Sequence, residues 1–276
     1  MNFIYFEVKK DQTIKAFLES FYVSKKTIYK QELFNLLRVE DQVRKLSFPL
    51  KKGDVLQIKL APLDGVIKPY KGVIEIVYED EDVLIVNKPS GILIHEDGNT
   101  FNTLTNIVNY HFQTRGYDCP VLPVHRLDFD TSGLVLFAKH FLALSYLSRQ
   151  FEDQNVKKKY IALCEGIMNK HYDTLDYPIG RDRHSNKYIV YQKGKPSRTQ
   201  YQVIDQFDNK TKCEVYIKGG RTHQIRVHFS YIGHPIVGDK LYSKSENNRL
   251  HLHFNEIEFI HPRNQKKVKF STGAPF

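Results

Sequence analysis

Apolar side chains recur along this chain in two rhythms, one near about 3.6 residues and one of two, and the changes of rhythm mark its elements. Ile14, Phe17, Leu18 and Phe21 fall at helical spacing, and Asp11 or Thr13 is placed to cap that helix. A second helix is predicted over residues 26–37, and 49–58 reads as a Gly53-Asp54 turn entering a short alternating strand. Further helices are predicted over 103–115, 141–151 and 222–232. Strand-like runs lie at 73–78, 83–87, 134–138, 160–165, 188–191, 199–204, 213–217 and 250–260. Strands outnumber helices and mix with them irregularly, which argues for an α+β fold rather than strict βαβ alternation. Turn formers and lysine collect over 61–72. Residues 1–60 are therefore expected to form a small unit, 61–72 a linker and 73–276 a larger domain.

Charge narrows the partners. The 276 residues carry 41 Lys and Arg against 31 Asp and Glu, a formal net charge of +10, which favours a polyanion such as nucleic acid. Three scattered cysteines, Cys119, Cys164 and Cys213, form no C-x-x-C pair, so neither a disulfide framework nor a cysteine zinc site is expected. No apolar run approaches the roughly 20 residues that span a bilayer, and the first residues lack the layout of a signal peptide. The chain is expected to be cytoplasmic, with no membrane partner. His125, His223, His228, His251 and His253 are not spaced as a metal site, so no metal is expected.

Candidate chemistry sits in five stretches. In Val124-His125-Arg126-Leu127-Asp128-Phe129-Asp130-Thr131-Ser132-Gly133 a polar turn feeds an apolar strand, placing Asp128 on a loop anchored by a rigid element. In Gly219-Gly220-Arg221-Thr222-His223-Gln224-Ile225-Arg226-Val227-His228, Thr222 is a plausible N-cap. Ile225, Phe229 and Ile232 then share one helical face while His223, Arg226 and Ser230 share the opposite one. A stop signal follows at Gly233-His234-Pro235-Ile236-Val237-Gly238-Asp239. Phe151-Glu152-Asp153-Gln154-Asn155-Val156-Lys157-Lys158-Lys159-Tyr160 carries a lysine triplet, which reads equally as a solvated face. Asn87-Lys88-Pro89-Ser90-Gly91 closes an apolar strand. Lastly, Arg181, Arg183, His184, Lys187, Lys193, Lys195 and Arg198 interleave with Tyr188 and Tyr191, a mixture of cations and aromatic faces suited to single-stranded RNA.

Taken together and in this order, the N-K-P-x-G motif, the HRLD-xx-TSG run, the F-x-x-x-x-V-x-K-x-Y segment, and the R-T-H-Q-I-R-V-H helix with its G-H-P-I-x-G-D tail resemble the RluA family of RNA pseudouridine synthases over residues 73–260. The layout of 1–60 is similar to the small RNA-binding domain named after ribosomal protein S-four, without its usual Asn-Gly turn. Two positions depart from the family pattern: Gln154 stands where Arg is common, and Gly219 where Thr is common.

The resemblance implies a pseudouridine synthase fold, a mixed and largely antiparallel sheet with flanking helices and a central cleft. It implies an isomerase acting on uridine in structured RNA, ribosomal ahead of transfer RNA, as a monomer and without a cofactor. Asp128 would be the reacting carboxylate, held ionised by Arg226 in a bidentate ion pair, and Tyr160 would stack on the base or act in proton transfer. Arg126 would fill the space left by the extruded base. His125 and Arg221 would hold the RNA backbone and Ile225 would form an apolar wall, while Arg181, Lys187 and Lys195 of the basic, tyrosine-interleaved stretch are expected to bind RNA on residue type alone. Whether Asp128 attacks the ring or assists a glycal route stays open. The competing readings are a catalytically silent RNA-binding or ribosome-assembly protein with the same fold, and a small-molecule hydrolase using Asp128 with His125 or His223.

Overall fold

Two sheets organise the chain, and in this computed structural model residues 3–60, 67–117, 119–185, 187–244 and 248–276 are described. The first is built from β1 (Phe3–Glu7), β2 (Gln12–Thr13), α1 (Ile14–Ser20), α2 (Lys25–Leu33), β3 (Leu37–Val39), β4 (Gln42–Val43), β5 (Pro49–Leu50) and β6 (Val55–Lys59). Its strand order is β1-β6-β3-β4, with β2 and β5 paired beside it. Of the two candidate caps of α1, Thr13 does the work, its hydroxyl accepting the Ala16 N–H at 3.1 Å. Asp11 instead accepts the Lys52 N–H at 2.9 Å. Helix α2 stops at Leu33, short of the expected residue 37, because Asn35 takes a left-handed conformation (φ 54°) and turns the chain into β3.

Part of the expected linker, 61–66, lies outside the described residues. Residues 67–72 run along the next helix, where Asn106 receives the Tyr70 N–H at 3.1 Å and donates to the Lys68 carbonyl at 2.7 Å.

The second sheet follows from β7 (Glu75–Glu79), β8 (Val83–Lys88), α3 (Leu104–Gln113), β9 (Leu122–Pro123), β10 (Ser132–Ala138), α4 (Phe141–Glu152), β11 (Lys157–Glu165), β12 (Tyr172–Asp176), β13 (Ile179–Arg181), β14 (Tyr188–Val190), β15 (Arg198–Phe207), β16 (Lys210–Lys218), α5 (Gln224–Tyr231), β17 (Leu252–Ile260) and β18 (Lys267–Ser271). Its path is β12-β15-β16-β11-β17-β10-β8-β7, with β18 on β17 and β9 on β10, while β13 and β14 pair apart from it as a two-stranded hairpin. Every pairing is antiparallel except β10 with β17. The sheet is thus mixed and largely antiparallel, as the family resemblance implied. All seven residues of β10 are buried, which explains its continuous apolar run. Cys119, Cys164 and Cys213 are all buried.

The parallel pairing brings Gly133 against Phe254. Gly133 has φ +117°, and a Cβ there would stand 2.4 Å from the Phe254 carbonyl oxygen. Backbone cannot yield as a flexible side chain does, so Gly133→Ala should lose about 3 kcal/mol of stability, read as a lowered urea midpoint. An alanine variant with the parent midpoint would refute the close approach.

The two sheets are joined by a buried charge cluster. The carboxylate of Asp82, fully buried, accepts from His140 Nε2 at 2.7 Å and from Arg263 Nε and Nη2 at 2.7 and 2.9 Å. Arg263 also donates to the Tyr5 carbonyl at 2.6 Å and lies over the Phe6 ring. Asp80 and His261 complete this cluster, with 2.8 Å between Asp80 Oδ2 and His261 Nε2. Both oxygens of the Asp82 carboxylate are engaged by protein donors that tie β8, α4 and the Arg263 turn together, so the cluster works as a joint.

Candidate active site

Three segments distant in sequence meet beside the start of β10. Asp128 lies on the loop before that strand, Tyr160 in β11 and Arg226 in α5. They line one cavity of about 120 Å³ together with Arg126, Thr131 and Ile225. That scale suits a single six-membered ring, since a cavity of about 150 Å³ holds benzene.

The Asp128 loop is clasped from behind by the N-K-P-S-G stretch. Lys88, fully buried, donates to the carbonyls of Pro89, Ile92 and Phe129, each at 3.0 Å. Gly91 N–H also reaches Phe129 O, and the Ser90 hydroxyl donates to Asp130 O at 2.7 Å. Burial lowers the Lys88 pKa to about 8 against the pull of Asp130 and Asp128. An ammonium is kept inside because three carbonyls solvate it in place of water.

Asp128 faces two bases. Arg226 Nη1 stands 3.3 Å from its Oδ2, and His223 Nε2 stands 3.9 Å from the same atom. The expected bidentate pair is not here, however. Arg226 gives its bidentate grip to Asp239, through Nε–Oδ2 at 2.7 Å and Nη2–Oδ1 at 2.8 Å, and reaches Asp128 with one remaining N–H. Asp239 is fully buried, and its Oδ1 also accepts the Leu241 and Tyr242 N–H groups at 3.0 and 3.2 Å. Burial works against the Arg226 charge, but the Asp239 contact outweighs it and holds the guanidinium above its usual pKa. Asp239 thus keeps the cation fixed, while the Asp128 carboxylate, 27% exposed, stays open to the cavity.

Helix α5 begins at Gln224, not Thr222, because His223 adopts the left-handed region (φ 58°, ψ 19°) with no side-chain cap. Ile225 and Phe229 of its apolar face are buried, and so is Arg226 of the opposite face, while His223 and Ser230 are half-buried. The strained turn points His223 between Asp128 and Tyr242, whose hydroxyl lies 3.0 Å from Nδ1. Burial and the Arg226 charge push the His223 pKa down against the Asp128 charge, which keeps the ring neutral near pH 7.

Tyr160, buried, stacks on Phe254 of the neighbouring strand with centroids 4.6 Å apart and planes at 15°. Burial, with the Asp128 charge adding to it, drives the phenol well above its usual pKa, so it presents a neutral hydroxyl. His125 is not displayed to solvent as an RNA-holding cation. Its ring stacks on Phe151 at 5.0 Å, its Nε2 accepts the Leu136 N–H at 3.1 Å, and burial lowers its pKa to about 3. Arg126 is exposed at the cavity, and Arg221 lines it while its Nε reaches the Pro196 carbonyl at 3.4 Å. Arg181, Lys187 and Lys195 lie outside the cavity lining, on or beside the β13–β14 hairpin. That hairpin still touches the site: the Tyr188 N–H donates to Tyr242 Oη at 2.9 Å, and Lys187 Nζ lies 6.0 Å above the Tyr242 ring. Asp239 and Tyr242 are the functional neighbours that sequence reasoning missed. The only signal for Asp239 was an acid ending a stop motif.

The family described as RNA pseudouridylate synthase matches residues 82–231, a span that holds Asp128, Tyr160 and Arg226. The ribosomal large subunit pseudouridine synthase C of Buchnera aphidicola subsp. Acyrthosiphon pisum is 34% identical over 94% of this chain and 88% of its own. The chain belongs to the RluA family of RNA pseudouridine synthases. Another relative in this family, the RNA pseudouridine synthase YhcT of Bacillus subtilis, is 42% identical over 82% of this chain and 77% of its own. Among solved structures, human RNA pseudouridylate synthase domain containing 1 superposes with a TM-score of 0.64 at 29% identity, covering 77% of this chain and 86% of that one. The protein is an RNA-acting isomerase with the fold of that family. No described helix is long and apolar enough to cross a membrane.

Proposed function

We propose that this enzyme isomerises uridine to pseudouridine in large-subunit ribosomal RNA, with Asp128 as the reacting carboxylate. The observation that carries the reading is the cavity in which an open carboxylate, a fixed cation and a neutral phenol converge from three separate segments. In the reaction the bond from ribose C1′ to uracil N1 breaks, a bond from C1′ to C5 forms, the C5 proton leaves, and N1, which keeps the pair of the broken bond, takes up a proton. The uracil must first leave its stack, and Arg126 is placed to enter the vacated space. Tyr160 bears on the base face and Ile225 closes the apolar wall. Ribosomal RNA is chosen over transfer RNA because relatives named for the large ribosomal subunit align along most of the chain.

In this reading the enzyme works as a monomer in the cytoplasm. The net charge of +10 and the basic hairpin bearing Arg181, Lys187 and Lys195 support RNA contact beyond the cavity. Residues 1–60 act in this reading as an accessory RNA-holding unit, joined by 61–72 to the catalytic domain, 73–276. Chemical mapping of pseudouridine in ribosomal RNA from a deletion strain and its parent tests the proposal. One or more sites should vanish from the large-subunit RNA of the deletion strain and return with the intact gene. Identical maps would refute it.

A further inference from the structure

The lysine triplet is split by the pleat of β11. Side chains of a strand alternate between faces, so Lys157 and Lys159 point one way and Lys158 the other, with Tyr160. The outer two are neutralised: Lys157 meets Glu258 at 3.0 Å, and Lys159 meets Glu214 at 3.0 Å and Glu256 at 3.6 Å. Lys158 turns inward, 8% exposed, and no described carboxylate comes within ion-pair distance of it. Its ammonium touches the Gly219 carbonyl and lies 5.8 Å over the Phe151 ring. A buried cation without an anion is costly, which makes this position one that gains from an incoming negative charge.

The space it faces is a second chamber of about 410 Å³, which shares Arg126, Tyr160 and Arg221 with the uracil cavity. Among the described residues Arg126 makes no ion pair, and the Arg221 guanidinium reaches only the Pro196 carbonyl. Against these three cations the lining holds one acid, Glu152. Gly219 and Gly220 leave open space where a Cβ would stand, so the floor is bare backbone. We propose that this chamber seats the phosphodiester of the nucleotide next to the target uridine, gripped from inside by Lys158 and at the rim by Arg221, while Arg126 reaches past it into the vacated stack. The seat rests on the pseudouridylation reading, since the adjoining chamber is where the extruded base would sit. It gives the buried lysine a use that packing does not.

Burial lowers the Lys158 pKa to about 8. Neutral His125, Arg126, Arg221, Glu152 and Tyr160 surround it in the chamber. The charge is present below that pH and is lost as pH rises through it, so RNA affinity should weaken above about pH 8.

The test is the salt dependence of Kd for a transcript of large-subunit ribosomal RNA, measured on the full chain carrying Asp128→Asn so that binding is read without turnover. Adding Lys158→Met should raise Kd on the order of tenfold. It should also lower the slope of log Kd against log salt by about 0.7, the contribution of one phosphate contact on a single strand. Lys158→Arg should restore both and flatten the fall of affinity above pH 8. Lys157→Met should change neither. An unchanged Kd and slope in Lys158→Met overturns the phosphate seat. So does lost affinity with an unchanged slope, or no rescue by arginine, because either marks a packing role. The catalytic reading fails separately, if Asp128→Asn protein still releases tritium from carbon-5-labelled RNA.

Discussion

Asp128→Asn should lower tritium release from carbon-5-labelled RNA by about three to four powers of ten while leaving the protein folded and able to bind RNA. The amide keeps the size of the carboxylate and still accepts from Arg226 Nη1, which stands 3.3 Å from Oδ2. What it loses is the negative charge and the nucleophilic oxygen, and either route to pseudouridine needs them. Removing a positioned acid–base group alone costs about two to four powers of ten, and a covalent role adds to that. Stability should barely change. The side chain is 27% exposed, and Arg226 keeps its stronger partner in Asp239. Single-turnover tritium release, with RNA binding and a thermal melt as controls, decides the matter. Release within tenfold of the parent would remove Asp128 from the chemistry.

The elements were legible in the sequence wherever one periodicity ran unbroken. The apolar run of β10 and the helical spacing of α4 appear where the pattern placed them, because each buries one continuous surface. Legibility failed where local conformation overrode the pattern. Asn35 ends α2 early and His223 delays α5, both through a left-handed residue that no hydrophobic rhythm announces. On α5 the face opposite the apolar one does turn His223 and Arg226 toward Asp128, but Arg226 is buried there against Asp239, which the rhythm does not announce.

The site shows the same division. Asp128, Tyr160 and Arg226 were legible as motif residues, and they do meet. Which acid holds Arg226 was not, because Asp128 and Asp239 are both acids on turns. The choice between them depends on how α5 lies against the loop that follows it. His125 was misplaced for a related reason: a histidine beside an arginine looks like a charge in sequence, whereas its ring packs on Phe151 and its nitrogen serves the Leu136 N–H. The inward turn of Lys158, by contrast, was within reach of simple strand alternation once β11 was extended back to Lys157.

Asp239→Asn is expected to cost about 3–5 kcal/mol of stability, the range found when one member of a buried ion pair is removed. Arg226 is 4% exposed and Asp239 fully buried, so solvent cannot step in for the lost charge. The amide can accept from only one of the two guanidinium nitrogens that now bind at 2.7 and 2.8 Å. Activity should fall for a second reason. Freed from Asp239, Arg226 has one carboxylate left within reach, and a bidentate grip on Asp128 would cover the oxygens that must meet the uridine. The loss should therefore appear in the rate of the chemical step at temperatures where the variant is still folded, with RNA affinity little changed. Asp239→Glu, which restores the charge with a longer reach, should recover part of the stability and part of the rate. Urea unfolding and single-turnover tritium release on the same preparations separate the two effects. A variant that loses less than about 1 kcal/mol and turns over at the parent rate would show that Asp239 does not anchor Arg226.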